Sequence, residues 1–368
     1  MLRYLHRNVG NLSNKANAKV IAVPDVYNKI KKLQQDTRTV KHKLMVEPLV
    51  GRELIQVRGE EAGDFLQGLI TNDIRNIQTG TIKPKSMYAL FLNKGGRVLY
   101  DTIIYGTPEK NTYLVECDAT ISNELRRHLR IYRVRRKIDI EPAHKLYQPW
   151  VVFNPSSVEE GGTGVRVQRN ISDLYITEDP RTSHLGMRIL AGPGHNFEYL
   201  ASIFEDGGTV AVQPPSGKDN YKTHRYRVGV GEGVDDLPPG KANPLESNCD
   251  FLNGVSFNKG CYIGQELTAR VHHTGIVRKR LMPMRLTTPL NAKAQNVVHS
   301  AAGANLGKIM GTSGERALAL LRVEKVLAAP RIDLVVDEDE VFVERPSWWP
   351  KELPNKLKLN ELEGLAAV

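Results

Sequence analysis

Cysteine is scarce in this chain. Cys117, Cys249 and Cys261 are the three in 368 residues, an odd number with no Cys-x-x-Cys spacing. Neither a disulfide framework nor a four-thiolate metal site can be built from them within one chain. Metal chemistry would need ligands from a partner. Long apolar runs are missing too: no stretch approaches the roughly 18 residues of a membrane-spanning helix, which excludes a helical span. No apolar core of roughly 7–15 residues follows the basic start, which argues against a secretory signal. No self-similarity at a period of about 20–50 residues is present, which excludes a solenoid or propeller.

Acids are absent before Asp25, and this explains most of the formal charge of +10. Residues 1–43 hold ten Lys/Arg against Asp25 and Asp36, a net of +8, leaving +2 for residues 44–368. The excess is an N-terminal feature and not a nucleic-acid-binding face, so no nucleic-acid partner is expected. In that segment Arg3, Arg7, Lys15 and Lys19 alternate with apolar Leu2, Leu5, Val9 and Leu12. Basic, Ser/Asn-containing and acid-poor is the composition of a mitochondrial presequence, and residues 1–43 are expected to be a presequence and basic arm.

With 40% hydrophobic and 25% charged residues the remainder can bury a sizeable core in two or three domains. RELIQVRG (52–59) reads as a strand. Ala62, Phe65, Leu66, Leu69 and Ile70 then fall on one helical face. MYALFLNKGGRVLYDTIIY (87–105) reads as two strands about an Asn93–Gly96 turn, NTYLVEC (111–117) as a third, and ISNELRRHLRIY (121–132) as a helix. Residues 154–170 are expected to form a loop, and strand character resumes around Asp179-Pro180-Arg181. From Arg280 short apolar segments separated by Pro, Gly and Asn predict a small C-terminal β-barrel, followed by a mobile polar tail. The fold class expected is α+β with antiparallel pairing. The basic run Arg126–Lys137, with seven Lys/Arg, is a further candidate surface for an acidic ligand or partner.

One thiol stands apart. In FNKGCYIGQELTARVHHTG (257–275), Cys261 lies between Gly260 and Gly264, with Lys259 before it. The glycines permit positive φ or close backbone approach. Gln265 onward is rich in helix formers, with Glu266 and Arg270 spaced for an i,i+4 ion pair. A thiol ahead of a helix N-terminus and beside a lysine is expected to ionise readily, as a reactive or metal-liganding cysteine does. His272 and His273 follow, on different sides of that helix, so at most one can assist it. Both lie too far along the helix for a Cys–His hydrolase pair.

KGCYIGQE, Lys259 to Glu266, resembles the motif of the folate-binding family related to the aminomethyltransferase (T-protein) of the glycine cleavage system, in its iron–sulfur cluster assembly branch. The likeness is dense from Pro244 to Arg280 and weaker from Leu49 to Pro346, where FLQGLITNDI (65–74), GRVLYD (96–101) and RYRVGVGEG (225–233) match. It implies an aminomethyltransferase-like ring of three domains around a folate pocket: 44–150, 151–278 ending in the motif, and a barrel at 279–346, with 347–368 as tail. It implies a mitochondrial matrix factor acting late in the making of four-iron clusters. Cys261 would be the functional thiol and a shared cluster ligand, with Lys259, Gly260, Tyr262, Gly264, Gln265, Glu266 and Arg270 around it. Asp101, Asn72 and Arg225 are implied folate contacts, tetrahydrofolate and a transient iron–sulfur cluster the implied ligands, and A-type iron–sulfur scaffold proteins the implied partners. The alternative is a tetrahydrofolate-dependent aminomethyl transferase. Against it, Tyr100-Asp101 replaces the paired acids of the transferases, and Arg227 stands where they carry a pterin-contacting glutamate.

Overall fold

The computed structural model describes residues 42–77, 79–81, 85–156, 174–204, 210–214, 216, 220–290, 296–327, 334–336 and 339–351. The presequence, most of the 154–170 loop and the tail from residue 352 lie outside them.

The chain enters as β1 (His42–Pro48), then builds a sheet from β2 (Arg52–Arg58), β3 (Lys85–Leu92), β4 (Val98–Gly106), β5 (Thr112–Asp118) and β6 (Asp139–Pro142). The order is β3-β4-β5-β2-β6, and every pairing is antiparallel. The Asn93–Gly96 turn closes the β3–β4 hairpin where expected, with the Gly96 N–H donated to the Asn93 carbonyl. MYALFL is apolar throughout because both faces of its strand are covered. Tyr88, Leu90 and Leu92 join one core, and Met87, Ala89 and Phe91 the other, as the two-residue period of a strand requires.

On the outer face lie α1 (Ala62–Gln67) and α2 (Ser122–Arg133), contributing Ala62, Phe65, Leu66, Leu125 and Leu129. The first helix is shorter than its apolar spacing suggests, ending at Gly68. Leu69 and Ile70 stay buried all the same, Ile70 as a bridge to Phe91. The inner face packs on a second sheet made of β7 (Gln148–Phe153), β8 (Leu174–Glu178), β9 (Met187–Ala191) and β10 (Val210–Gln213), in the order β10-β1-β7-β9-β8. Strand β1 thus pairs with strands that follow it by a hundred residues or more, parallel to β10 and antiparallel to β7. Asp179-Pro180-Arg181 is the connection between β8 and β9 and not strand, because proline cannot donate to a ladder. Val151, Phe153 and Leu190 face the shared inner core. Trp150, Val152 and Ile189 face outward to α3 (Phe197–Phe204).

Two short helices follow, α4 (Tyr221–Val228) and α5 (Gly233–Asp236), then a long irregular stretch leading to α6 (Gln265–Thr274). Six further strands form the closed barrel expected from the change in periodicity, β11 (Lys279–Leu286), β12 (Val297–Ser300), β13 (Asn305–Ser313), β14 (Arg316–Arg322), β15 (Leu334–Val336) and β16 (Asp339–Val343). Arg280 of β11 ties it to the irregular stretch by a bidentate pair with Asp250, both bonds 2.8 Å, and lies 3.7 Å over the Phe251 ring.

Candidate functional site

The segment around Cys261 is held by its neighbours in sequence and not by the cysteine. The Lys259 ammonium donates to the carbonyls of Gln67, Ile70 and Asn72 at 2.7, 2.7 and 2.8 Å and lies 5.0 Å from the Tyr262 ring centre. Burial pulls its pKa down to about 8. Lys259 is therefore a clamp onto the end of α1, with all three of its donors bound to carbonyls there. Tyr262 packs against the inner core and Ile263 against the outer one, so consecutive side chains anchor the turn in both. The Gln265 Oε1 accepts the Tyr262 N–H at 3.2 Å and closes the turn.

Gly264 and Gly260, alike in the sequence, differ in the structure. Gly264 caps α6 at φ +80°, and a Cβ there would lie 2.3 Å from the Asn93 carbonyl oxygen and 2.8 Å from the Leu92 Cβ. The motif is thus seated on the β3–β4 turn backbone to backbone. Around Gly260 there is open space. What this clamped turn presents outward is Cys261, whose side chain is exposed, whereas Cys117 and Cys249 are buried and their thiols are pushed up by burial. Glu266 and Arg270 are exposed, and no ion pair joins them among the described residues. His272 stacks on Phe257 with ring centres 3.5 Å apart.

Asn72 is brought to the same place, but as a fastener. Its amide donates to the carbonyls of Tyr88 (2.8 Å) and Asn253 (2.7 Å). Asp101 and Arg225 lie elsewhere, in a buried ionic layer between the two sheets. Arg52 bonds Glu116 (2.9 Å) and Asp101 (3.2 Å). Arg188 bonds Glu116 (2.6 Å), Asp179 (3.1 Å) and Glu232; Arg181 bonds Asp179 (2.7 Å) and lies 2.8 Å from Glu232. Arg225 pairs with Asp236 at 2.8 Å. Burial alone would raise the Glu232 carboxyl, but Arg188, Arg181, Arg225 and Arg52 outweigh it and hold it well below the usual range. For Asp101 burial prevails over Arg52, and its carboxyl is raised. Sequence reasoning missed Arg52, Glu116, Asp179, Arg181, Arg188 and Glu232 as a group. The signal available was a charge at an inward position of an apolar strand, Glu116 in LVEC and Arg188 in MRIL.

Beside this layer is a cavity of about 350 Å³, walled by Pro48, Leu49, Val50 and Tyr221, by the cations Arg52, Lys222 and Arg225, and by the acids Glu47, Asp118, Glu232, Asp235 and Asp236. The Arg52 Nη2 and Arg225 Nε are buried without a hydrogen-bond partner. These two donors are the positions open to a carboxylate of a folate tail, which would share them with acids already present, since the Arg225 Nε lies 3.7 Å from Glu232. The Asp101 oxygens already accept from Arg52 and from the Gly233 N–H (3.1 Å). Arg227 is turned to the Pro155 carbonyl (2.6 Å), and no residue of the 126–137 run lines the cavity.

Residues 14–159 match the family described as the GCVT N-terminal domain, and residues 278–351 the CAF17 C-terminal beta-barrel domain. The crystal structure of glycine cleavage system aminomethyltransferase T from Bartonella henselae shares the fold, with a TM-score of 0.61 at 15% identity over 88% of this chain and 91% of that one. The mitochondrial iron-sulfur cluster assembly factor IBA57 of Mus musculus is 40% identical over 321 residues, and that of Homo sapiens 41% over 317, each alignment covering 82% of this chain and 84% of the relative. The chain belongs to the IBA57 family of mitochondrial iron–sulfur cluster assembly factors.

Proposed function

We propose that this protein acts in the mitochondrial matrix as an accessory factor in late iron–sulfur cluster assembly, supporting four-iron clusters, with Cys261 lending its thiolate to a cluster shared with an A-type scaffold protein. The observation that carries this reading is the turn at 259–264, fastened to both cores and to the β3–β4 hairpin while its thiol faces solvent. A thiolate is a soft iron ligand, and one exposed cysteine supplies one coordination position, so the partner must supply the others. Rigid seating limits the entropy lost when the shared cluster forms. Lys259, Tyr262, Gly264 and Gln265 position the thiol, while Gly260, Glu266 and Arg270 lie at the exposed rim where a partner would approach. Replacement of Cys261 by Ser in cells lacking the protein should fail to restore four-iron enzymes while two-iron enzymes stay unaffected. Full restoration would remove the thiol from the mechanism.

Folate fits the second region in part. Arg52 and Arg225 would take its glutamate carboxylates, and the reduced pterin would supply one-carbon or redox chemistry when bound. The aminomethyl-transfer alternative is weakened because Asp101 is engaged by Arg52 and Gly233 and is not free to assist a reacting group. Calorimetric titration with tetrahydrofolate should give saturable binding, and a pteroate lacking glutamate should bind at least roughly tenfold more weakly. Absence of binding would remove folate, and equal binding would remove the tail assignment.

A further inference from the structure

The basic run noted in the sequence is not absorbed by either region. It occupies the second half of α2 and the turn after it, on the outer side of the first sheet. Arg127, Arg130, Arg135, Arg136 and Lys137 are exposed. Arg130 and Arg136 have solvated partners in Glu141 (3.2 Å) and Glu61 (3.7 Å), whereas Arg127, Arg135 and Lys137 have no carboxylate partner among the described residues. Among these cations stand Ile131, 62% exposed, and Val134, 78% exposed. Val134 also has φ +53°, a conformation that costs a β-branched residue backbone strain. The apolar face of α2, Leu125 and Leu129, is spent on the core, so the helix cannot lie down in a bilayer as an amphipathic helix does.

We propose that the tip of α2, residues 127–137, is a peripheral docking site for an anionic lipid surface, with the cations on the headgroups and Val134 and Ile131 entering just beneath. Charge complementarity selects an anionic partner. A bilayer is favoured over an acidic protein because the apolar groups sit at an exposed helix end, which needs no matching pocket on its partner. Each cation near such a surface adds roughly fivefold to affinity, so losing three costs on the order of a hundredfold.

The full chain should co-sediment with phosphatidylcholine vesicles in which a third of the lipid is phosphatidylglycerol, and not with phosphatidylcholine alone. Added salt should weaken the binding. The triple variant Arg127→Ala, Arg135→Ala, Lys137→Ala keeps the basic arm and should lose about a hundredfold in affinity. Val134→Gly separates docking from folding, because relief of strain should raise the melting temperature while vesicle affinity falls. Equal binding to neutral vesicles, or undiminished binding by the triple variant or by Val134→Gly, would overturn the proposal and turn attention to an acidic protein partner.

Discussion

Two glycines flank Cys261, and they should differ sharply in their tolerance of a side chain. Gly264→Ala adds a Cβ at φ +80°, 2.3 Å from the Asn93 carbonyl oxygen, where neither atom can retreat without moving backbone. The left-handed conformation costs a non-glycine residue about 1–2 kcal/mol. Overpacking against fixed atoms adds about 1–3 kcal/mol. The sum is about 2–5 kcal/mol, which at about 2 °C per kcal/mol lowers the melting temperature by about 4–10 °C. Gly260→Ala meets open space and should stay within about 0.5 kcal/mol of the parent. Thermal unfolding of the two variants side by side, with amide exchange of 257–264 as the local readout, decides the matter. A Gly264→Ala protein that melts with the parent and protects the turn equally would refute the seating of the motif on the hairpin.

Arg188→Met should cost about 3–5 kcal/mol, read by chemical denaturation, because it removes the cation that Glu116, Asp179 and Glu232 share and leaves the buried layer one positive charge short. Glu232 is lowered in the folded state, so its contribution to stability is present above the ordinary carboxyl value of about 4.5 and is lost as pH falls through the folded value. Melting temperature followed downward from neutral pH should therefore decline below about pH 4.5, and Glu232→Gln should flatten that decline. Lys259→Met should loosen the turn, seen as faster amide exchange at 257–264, and Lys259→Arg should not restore it, since a planar guanidinium cannot reproduce three bonds from one nitrogen.

Much of this was legible beforehand. Strand period, turn glycines and the shift to short apolar segments after Arg280 are local signals, and the hairpin and barrel follow from them. The motif's residue types are unusual together and single out Cys261, whose thiol the structure leaves exposed. Three things were not legible. The partner of β1 lies more than a hundred residues away, and no local pattern encodes that pairing. Lys259 reads as a neighbour of the thiol, but its donors follow the carbonyls exposed where α1 ends at Gly68. The ionic layer is spread over Arg52, Glu116, Asp179, Arg181, Arg188 and Glu232, whose spacing means nothing until two sheets face each other.

The proposed role of Cys261 is to complete a cluster shared with a partner. Anaerobic titration of the protein into a cluster-loaded A-type scaffold protein, followed by visible absorption and circular dichroism, tests it most directly. A new thiolate-to-iron spectrum should appear, saturate at one chain per cluster, and be absent with Cys261→Ser. An identical spectrum from the serine variant would contradict it.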